Sequence, residues 1–415
     1  MVARYTAATN PRNAPTLPQA SRKMTDNRPQ APIATLERLV AFDTVSANSN
    51  AALIEWAAER LEAVGAKVMV QHAPEPGKAN LFATIGPEDV PGLMLSGHSD
   101  VVPVAGQAWT TDPFVLTRRG DNLYARGSAD MKGFIACVLD AAPRFAAARL
   151  KQPLHIALSY NEETNMHGMR QLAGHLASAP VKPAACLIGE PTSMQVVVAN
   201  KGAAGFKVKV RGHSVHSSLR DSGVSAVEVA AEIVHFVSGL QQELRAAARH
   251  DGFEFPHTSV HVGRIQGGTA HNITAKDCEF LLEIRALPGQ RATDILARIR
   301  AFCDGLEPAM KAISPECGIA IEEIFDTPAL DERGNTYLAK AIMPLCGHFV
   351  PGRVSFGTEA GILQDIGVPT VVCGPGRIAV AHQPDEYVEV EQLEQCMKFL
   401  FVLAERMAQG IPLQG

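Results

Sequence analysis

The chain has 415 residues, 46% of them hydrophobic, and 38 lysines and arginines against 43 aspartates and glutamates leave a formal net charge of −5. This length suits two domains with sizeable cores, and the acidic balance leaves no broad basic face for nucleic acid. No apolar run reaches the ~18 residues that a membrane span needs, and the eight cysteines form no C-x-x-C pair. Most of them sit in apolar segments such as FIACVLD, AACLIGE and TVVCG, which reads as reduced core thiols in a cytoplasmic protein.

Residues 1–30 lack periodicity and carry Arg4, Arg12, Arg22 and Lys23 before the first acid, Asp26. They are expected to be a disordered leader. It has neither a signal-peptide apolar core nor an amphipathic arginine face, so targeting is not the favoured reading, and Met24 is a second candidate start. From residue 33, helical patterns (IATLERLVAF, NAALIEWAAERLEAVGA) alternate with short apolar runs (KVMVQHA, NLFATIG, GLMLSGHSD). The cycle repeats through MKGFIACVLDAAPRFAAARL, LHIALSYN, GMRQLAGHLA and AACLIGE. This is α/β patterning, and open α/β sheets bind ligands past the carboxyl ends of their strands.

After Lys201 the order changes to strand GFKVKVRG, a long helix from Val224, strands TSVHVGRIQGG and CEFLLEIRALPG, helix ATDILARIRAFCDGLEPAMKAI and strand GIAIEEIFD. This βαββαβ order is ferredoxin-like and reads as a domain inserted at 201–325, so that 31–200 and 326–415 together form the other domain. Its last part holds helix TYLAKAIMPLC, strand VPTVVCG and a closing helix from Val390.

The chemistry-bearing residues fall at the ends of the predicted strands. Glu162 and Glu163 end an apolar strand side by side, and adjacent strand positions face opposite ways, so one can hold a metal while its neighbour handles a proton. His98 and Asp100, two apart in SGHSDVVP, would share a strand face, with the carboxylate receiving an imidazole N–H. Asp130 stands among small residues at a helix start in RGSADMKG, Glu190 closes AACLIGE before Pro191, and His382 lies in the loop VAHQPDEY. Two histidines and three carboxylates suit a pair of divalent ions, with Asp130 the best candidate to bridge them. Zinc fits the N/O donor set, and cobalt or manganese is compatible with it.

The motifs SGHSDVVP, RGSADMKG, NEET, GEPT, GHSVHSS, GGTAHNI, LEIRALPG, FGTEAG and CGPGRIAVAHQPDEYV together resemble the acetylornithine deacetylase branch of the two-zinc aminoacylase and desuccinylase family, from about residue 33 to 408. The resemblance implies a zinc-peptidase-like mixed-sheet catalytic domain with an inserted dimerisation or lid domain. It implies that His98 and Glu190 bind one ion, Glu163 and His382 the other, and Asp130 both. Glu162 would then be the general base, Asp100 would orient His98, and His216 would reach the site of the partner subunit in a homodimer to stabilise the oxyanion. Asn272, Arg285 and Thr358 fall at substrate-binding positions of the family. Ser225 and the proline-free segment SSLRDSG depart from its usual pattern.

The implied reaction is hydrolysis of N2-acetyl-L-ornithine to L-ornithine and acetate in arginine biosynthesis. FGTEAG favours it over the alternatives, which are succinyl-diaminopimelate desuccinylase, N-acetylcitrulline deacetylase, another N-acyl amino acid hydrolase, or a dipeptidase. A catalytically silent metal-binding scaffold would be expected to lack Glu162. The G-x-G-x-x-A match from Gly374 to Ala379 is a decoy for a dinucleotide site, because Pro375 removes a phosphate-facing N–H and no helix start follows.

Overall fold

The computed structural model describes residues 30–413, and the leader read from the sequence lies, except for Gln30, outside the described residues. The first part of the chain forms α1 (Ile33–Val40), α2 (Ala51–Ala63), β1 (Lys67–His72), β2 (Ala79–Ile85), β3 (Leu93–His98), β4 (Thr117–Arg119), β5 (Asn122–Tyr124), α3 (Lys132–Ala147), β6 (Leu154–Ser159), α4 (His167–Ser178), β7 (Ala185–Pro191) and β8 (Val197–Asn200). The second sheet system follows as β9 (Gly202–Arg211), α5 (Ala226–Ala246), β10 (Ser259–Gly267), β11 (Asp277–Ala286), α6 (Ala292–Ile313) and β12 (Gly318–Thr327). The chain closes with α7 (Thr336–Cys346), β13 (Gly352–Val354), α8 (Ala360–Asp365), β14 (Thr370–Gly374), β15 (Tyr387–Glu389) and α9 (Val390–Gln409).

Eight strands form one mixed sheet in the order β1-β2-β6-β3-β7-β14-β8-β13. Its centre, β6-β3-β7-β14, is parallel. Every residue of β3, β6, β7 and β14 is buried, because helices cover both faces and strands buried on both sides read as near-continuous apolar runs. Leu93 and Leu95 pack with α1, α2, α3 and α9 on one face, while Met94 between them packs with α4 and α8 on the other. Helix α3 lies so close to the sheet that a Cβ at Gly189 would sit 2.0 Å from the Phe134 ring. Glycine is the residue that permits this approach next to Glu190.

The second sheet, β10-β11-β9-β12, is antiparallel, and its chain order and strand order are those of a ferredoxin-like βαββαβ unit. Strand β11 alternates buried with partly exposed residues along its length, as expected for a sheet with helices on one face only. The buried set packs under α5 and α6 in a separate core, and the other face carries Arg285. The expected α/β core interrupted by a βαββαβ insertion is therefore the observed architecture. β15 returns the last part of the chain to pair with β5, which in turn pairs with β4, in a small third sheet, and this brings the loop containing His382 back to the first part of the molecule.

His155 on β6 illustrates what burial under α/β packing does to an ionisable group. It is stacked on Phe82 at 5.1 Å between centroids, its Nδ1 lies 3.0 Å from the Thr84 hydroxyl, and its Nε2 has no partner. Burial holds its pKa down at about 4, against the usual 6.5. The unfolded chain therefore takes up this proton first as pH falls, so stability is full above pH 6.5 and drains away down to about pH 4. At about 1.36 kcal/mol per unit the loss is about 3 kcal/mol. Urea unfolding at pH 7 and pH 4 should show His155→Gln losing less stability than the wild type over that range, and equal losses would remove His155 as the cause.

Candidate metal centre

The parallel strands end level with one another, and the site is built on that edge. In the register His98 at the end of β3 stands opposite Ser159 at the end of β6, and Gly374 of β14 stands opposite Pro191 of β7. Glu190 is the last residue but one of β7. Asp130 precedes α3, and His382 sits in the loop before β15.

His98 is buried, and its Nδ1 lies 2.9 Å from the main-chain oxygen of Asp100. An acceptor there fixes the proton on Nδ1 and turns Nε2 into the site. Nε2 stands 3.0 Å from Asp130 Oδ1 and 3.7 Å from Glu190 Oε1. On the other side, His382 Nε2 lies 3.0 Å from Glu163 Oε2 and 3.3 Å from Asp130 Oδ2. Asp130 thus offers one oxygen to each imidazole. Potential ligand atoms of His98, Asp130 and Glu163, and of His98, Glu162 and Glu190, each fall within 4.8 Å of one another.

Two local expectations need correction. Glu162 and Glu163 are not on a strand, since β6 ends at Ser159 and a turn begins at Asn161, whose φ is +57°. Both glutamates reach the same cavity because this turn curls over the strand end, and strand alternation plays no part. Nor do His98 and Asp100 share a strand face, as β3 ends at His98. The Asp100 carboxylate is 3.7 Å from the ring and is taken up elsewhere. It accepts the Glu162 and Glu163 main-chain N–H groups at 3.0 and 3.3 Å and the Ser46 hydroxyl at 2.6 Å. The Asp100 main chain steadies the histidine, and its side chain steadies the glutamate turn.

The electrostatics follow from crowding. Burial, then the Asp130 charge, pushes Glu190 well above the usual carboxylate range and Glu163 up to about 7. Burial also raises Glu162 well above its usual value, with His98 opposing and Glu163 reinforcing the rise. Asp130 goes the other way, because hydrogen bonds from His382 and His98 outweigh its burial. The Asp130 and Glu163 hydrogen bonds lift His382 to about 10. Burial disfavours charge on His98, yet the Asp130 hydrogen bond and the Glu190 and Glu162 carboxylates raise it well above 6.5. Four carboxylates lining one cavity with His382, and His98 packed behind them, call for added positive charge, and their N/O donor set fits borderline divalent cations.

The cavity holds about 200 Å³ and is lined by Asp130, Glu162, Glu163, Glu190 and His382 on the catalytic side and by Arg285, Ala203, Phe325 and Thr327 from the second sheet system. Met166, Phe356 and Ile378 add apolar surface. Arg285 holds Glu283 with its guanidinium at 2.6 Å on this wall. His216 and Asn272 meet one another through an isolated bridge between His216 and Ile273 and a Ser217 N–H to Asn272 O bond of 3.0 Å. Both are exposed and neither lines the cavity of its own chain. Thr358 is also absent from the lining. It is fully buried, donating to Asn200 Oδ1 at 3.0 Å and accepting from the Ala360 N–H, which makes it a brace behind the site.

Sequence reasoning missed Glu359, buried beneath His98 and raised by burial to about 7. It gave no place in the cavity wall to Phe325, Phe356 or Ile378, and it missed the pair Arg126 and Glu386. Glu359, Arg126 and Glu386 lie inside quoted motifs, FGTEAG, RGSADMKG and HQPDEYV, which was the available signal.

A buried carboxylate and imidazole cluster at the carboxyl edge of an α/β sheet, facing a small cavity under a second sheet, defines the class of metal-dependent hydrolases. Residues 94–406 match the model of peptidase family M20/M25/M40, and the chain belongs to that family. It is 38% identical over 371 residues to an acetylornithine deacetylase of Myxococcus xanthus, covering 88% of this chain and 94% of the relative. It is 35% identical over 374 residues to that of Proteus mirabilis, covering 88% and 92%. Among solved structures, the M20 metallo-carboxypeptidase Sso-CP2 of Sulfolobus solfataricus superposes with a TM-score of 0.70 at 16% identity, covering 91% of this chain and 99% of that one. A dinuclear metal binding M20 peptidase of Bacillus subtilis gives 0.63 at 18%, covering 92% and 98%.

If the two imidazoles anchor separate ions, His382→Ala and Glu163→Ala should each take up one metal equivalent fewer than the wild type, while Glu162→Gln keeps the full complement. Metal analysis after dialysis checks this, and an unchanged stoichiometry in His382→Ala would remove it from the ligand set.

Proposed function

We propose that this chain is a two-metal amide hydrolase that removes the acetyl group from N2-acetyl-L-ornithine, giving L-ornithine and acetate for arginine biosynthesis. The observation that carries the reading is the convergence of Asp130, Glu163, Glu190 and His382 on one cavity, with Glu162 beside them and His98 behind them within ligand distance of the carboxylates. Relatives at 34–38% identity bear the name of that activity. Zinc is the proposed metal and cobalt a working substitute, with His98 and Glu190 on one ion, Glu163 and His382 on the other and Asp130 between them.

Divalent ions held there supply Lewis acidity to the amide carbonyl and to water. The chain's own residues do the rest. The Glu162 carboxylate, lining the cavity beside the cluster, takes the proton of the attacking water and passes it to the departing amine. The Asp100 side chain keeps the Glu162–Glu163 turn in place during that transfer. Arg285 exchanges Glu283 for the substrate α-carboxylate, a bidentate pairing for which guanidinium is suited. Thr358 acts through the Asn200 brace behind the cavity.

The chain is proposed to act as a homodimer joined through the inserted unit at 201–325, with residues 31–200 and 326–415 as the catalytic domain. Supporting this, Leu219, Val227, Ile265 and Ile273 are large apolar residues exposed on the inserted unit, and among the described residues β10 is an edge strand with no neighbour on its outer side. His216 of the partner subunit would then serve the oxyanion, with Asn272 beside it at the substrate. Closure is proposed to hinge at Lys201–Gly202 and Phe325–Pro328. All eight cysteines are free, in keeping with a cytoplasmic location, and no helix among the described residues is long and apolar enough to cross a membrane.

One observation favours a second reading. Every acid lining the cavity belongs to the metal cluster, and the rest of the wall is largely Met166, Phe325, Phe356 and Ile378, so the lining offers no spare carboxylate for an ornithine ammonium. That surface suits an N-acyl amino acid with an apolar side chain.

The deciding assay follows amine release from N-acetylornithine, N-acetylcitrulline, N-succinyl-diaminopimelate and N-acetylmethionine by chelated enzyme before and after Zn2+ is restored. Zinc-dependent preference for N-acetylornithine is the expected result. Preference for N-acetylmethionine would establish the second reading, and no release from any substrate would sink both. Glu162→Gln should lower kcat by about 10²–10⁴-fold, and wild-type turnover in that variant would remove Glu162 as the base.

A further inference from the structure

The loops carrying Asp130 and His382 are locked together by a buried charge pair outside the cavity. Glu386 is 1% exposed, and its two oxygens do separate work. Oε1 accepts the main-chain N–H groups of Ala129 and Asp130 at 2.9 and 3.0 Å. Oε2 pairs with Arg126 Nη1 at 2.6 Å, and that side chain is likewise 1% exposed. The Glu386 main-chain oxygen also accepts the Ala125 N–H at 3.1 Å.

From Arg126 the chain of contacts turns back toward the site. Arg126 Nη2 donates to Gln107 Oε1 at 2.6 Å, and its guanidinium lies 5.0 Å from the centroid of Trp109. The indole N–H of Trp109 donates to the same Gln107 oxygen at 3.0 Å. Gln107 Nε2 then donates to the main-chain oxygen of His382 at 3.0 Å. Asp385, one residue before Glu386, accepts the N–H and the hydroxyl of Thr110, both at 2.9 Å. His382 and Asp385 have φ of +62° and +56°, a region in which non-glycine residues persist only when their surroundings hold them. Gln107 on His382 and Thr110 on Asp385 supply such holding directly.

We infer that Glu386, acting through the Asp130 main chain and through Arg126 and Gln107 to His382, is the positioning residue that sets the distance between the Asp130 and His382 ligand atoms, and so the affinity for the cation they share. The inference rests on the two-metal reading above. Glutamate is needed because both carboxylate oxygens are acceptors facing donors only. A glutamine has one acceptor and one NH2, so it would turn an N–H toward either the two main-chain amides or the guanidinium. Arginine and glutamate left unmatched in this setting lose their buried partner, and ligands whose outer contacts are lost bind metal typically about 10–100-fold more weakly.

The test is calorimetric titration of Zn2+ into chelated wild type, Glu386→Gln and Gln107→Ala, none of which needs a substrate. The wild type should take two equivalents. Glu386→Gln should melt lower and bind at least one of the two equivalents about 10–100-fold less tightly. In turnover its kcat should fall at limiting Zn2+ and recover in excess Zn2+, with KM unchanged. Gln107→Ala, half-buried at a loop, should show the same direction with a smaller drop in melting temperature.

Lower melting with both Zn2+ affinities unchanged in Glu386→Gln would make the pair a structural brace alone and overturn the inference. If that variant does not fold, unchanged affinities in Gln107→Ala overturn it. Two equivalents in the wild type with no turnover of any N-acyl amino acid would sink the proposed reaction and leave the positioning role standing. A wild type that takes up no Zn2+ would overturn both.

Discussion

Repulsion among Asp130, Glu162, Glu163 and Glu190, gathered on one cavity with two imidazoles, is the constraint on which the rest of the molecule depends. Two like unit charges about 4 Å apart repel by about 4 kcal/mol at an effective dielectric near 20, while a whole domain is stable by only ~5–15 kcal/mol. Such a cluster does not assemble on loops left to themselves. It needs a rigid platform, main-chain donors or covered acceptors at each carboxylate, and positive charge inside. The raised pKa values of three of the carboxylates and the raised His98 and His382 are the signature of a site whose charge balance is met by protons whenever no other cation provides it.

The platform is the parallel centre of the large sheet. Strands β3, β6, β7 and β14 are sealed by helices on both faces, so their ends cannot slide without exposing core on one side or the other. Their common edge delivers His98 and Glu190 directly. What does not come from a strand is held by side chains from elsewhere. Asp100 grips the turn of Glu162 and Glu163 by its N–H groups, and Glu386 grips Asp130 in the same way. Two carboxylates outside the cluster thus position three inside it, each by accepting main-chain hydrogen bonds, which adds no charge to the cavity itself.

The second sheet contributes the opposite wall. Its helices occupy one face and leave Arg285 and Ala203 facing the cavity, with Phe325 and Thr327 from β12 alongside. The polar cluster comes from one sheet system, while the other adds the Arg285 guanidinium and Phe325 to a wall that also carries Met166, Phe356 and Ile378. The chain enters the second sheet at Gly202 and leaves it after Thr327, and at Gly202 an added Cβ would sit 2.8 Å from the Thr327 oxygen, so entry and exit run in close contact.

Much of this was legible in the sequence because it is local. The α/β cycle, the βαββαβ interruption and the placement of His98 and Glu190 at strand ends and of Asp130 and His382 in loops follow from hydrophobic period and from short motifs, each read within a few residues. The sequence did not disclose that Glu162 and Glu163 lie in a turn, because the apolar run before them reads as strand up to the glutamates while a left-handed Asn161 ends it two residues sooner. Thr358 inside FGTEAG gave no sign of being buried on Asn200, as a hydroxyl's partner is chosen by packing. Arg126 and Glu386 are 260 positions apart, and periodicity carries no information over that distance. Composition and motif determined which chemical groups the chain brings and roughly where each element presents them. Only the tertiary structure decided which distant carboxylate holds which loop, because those contacts exist solely where separately folded segments are pressed together.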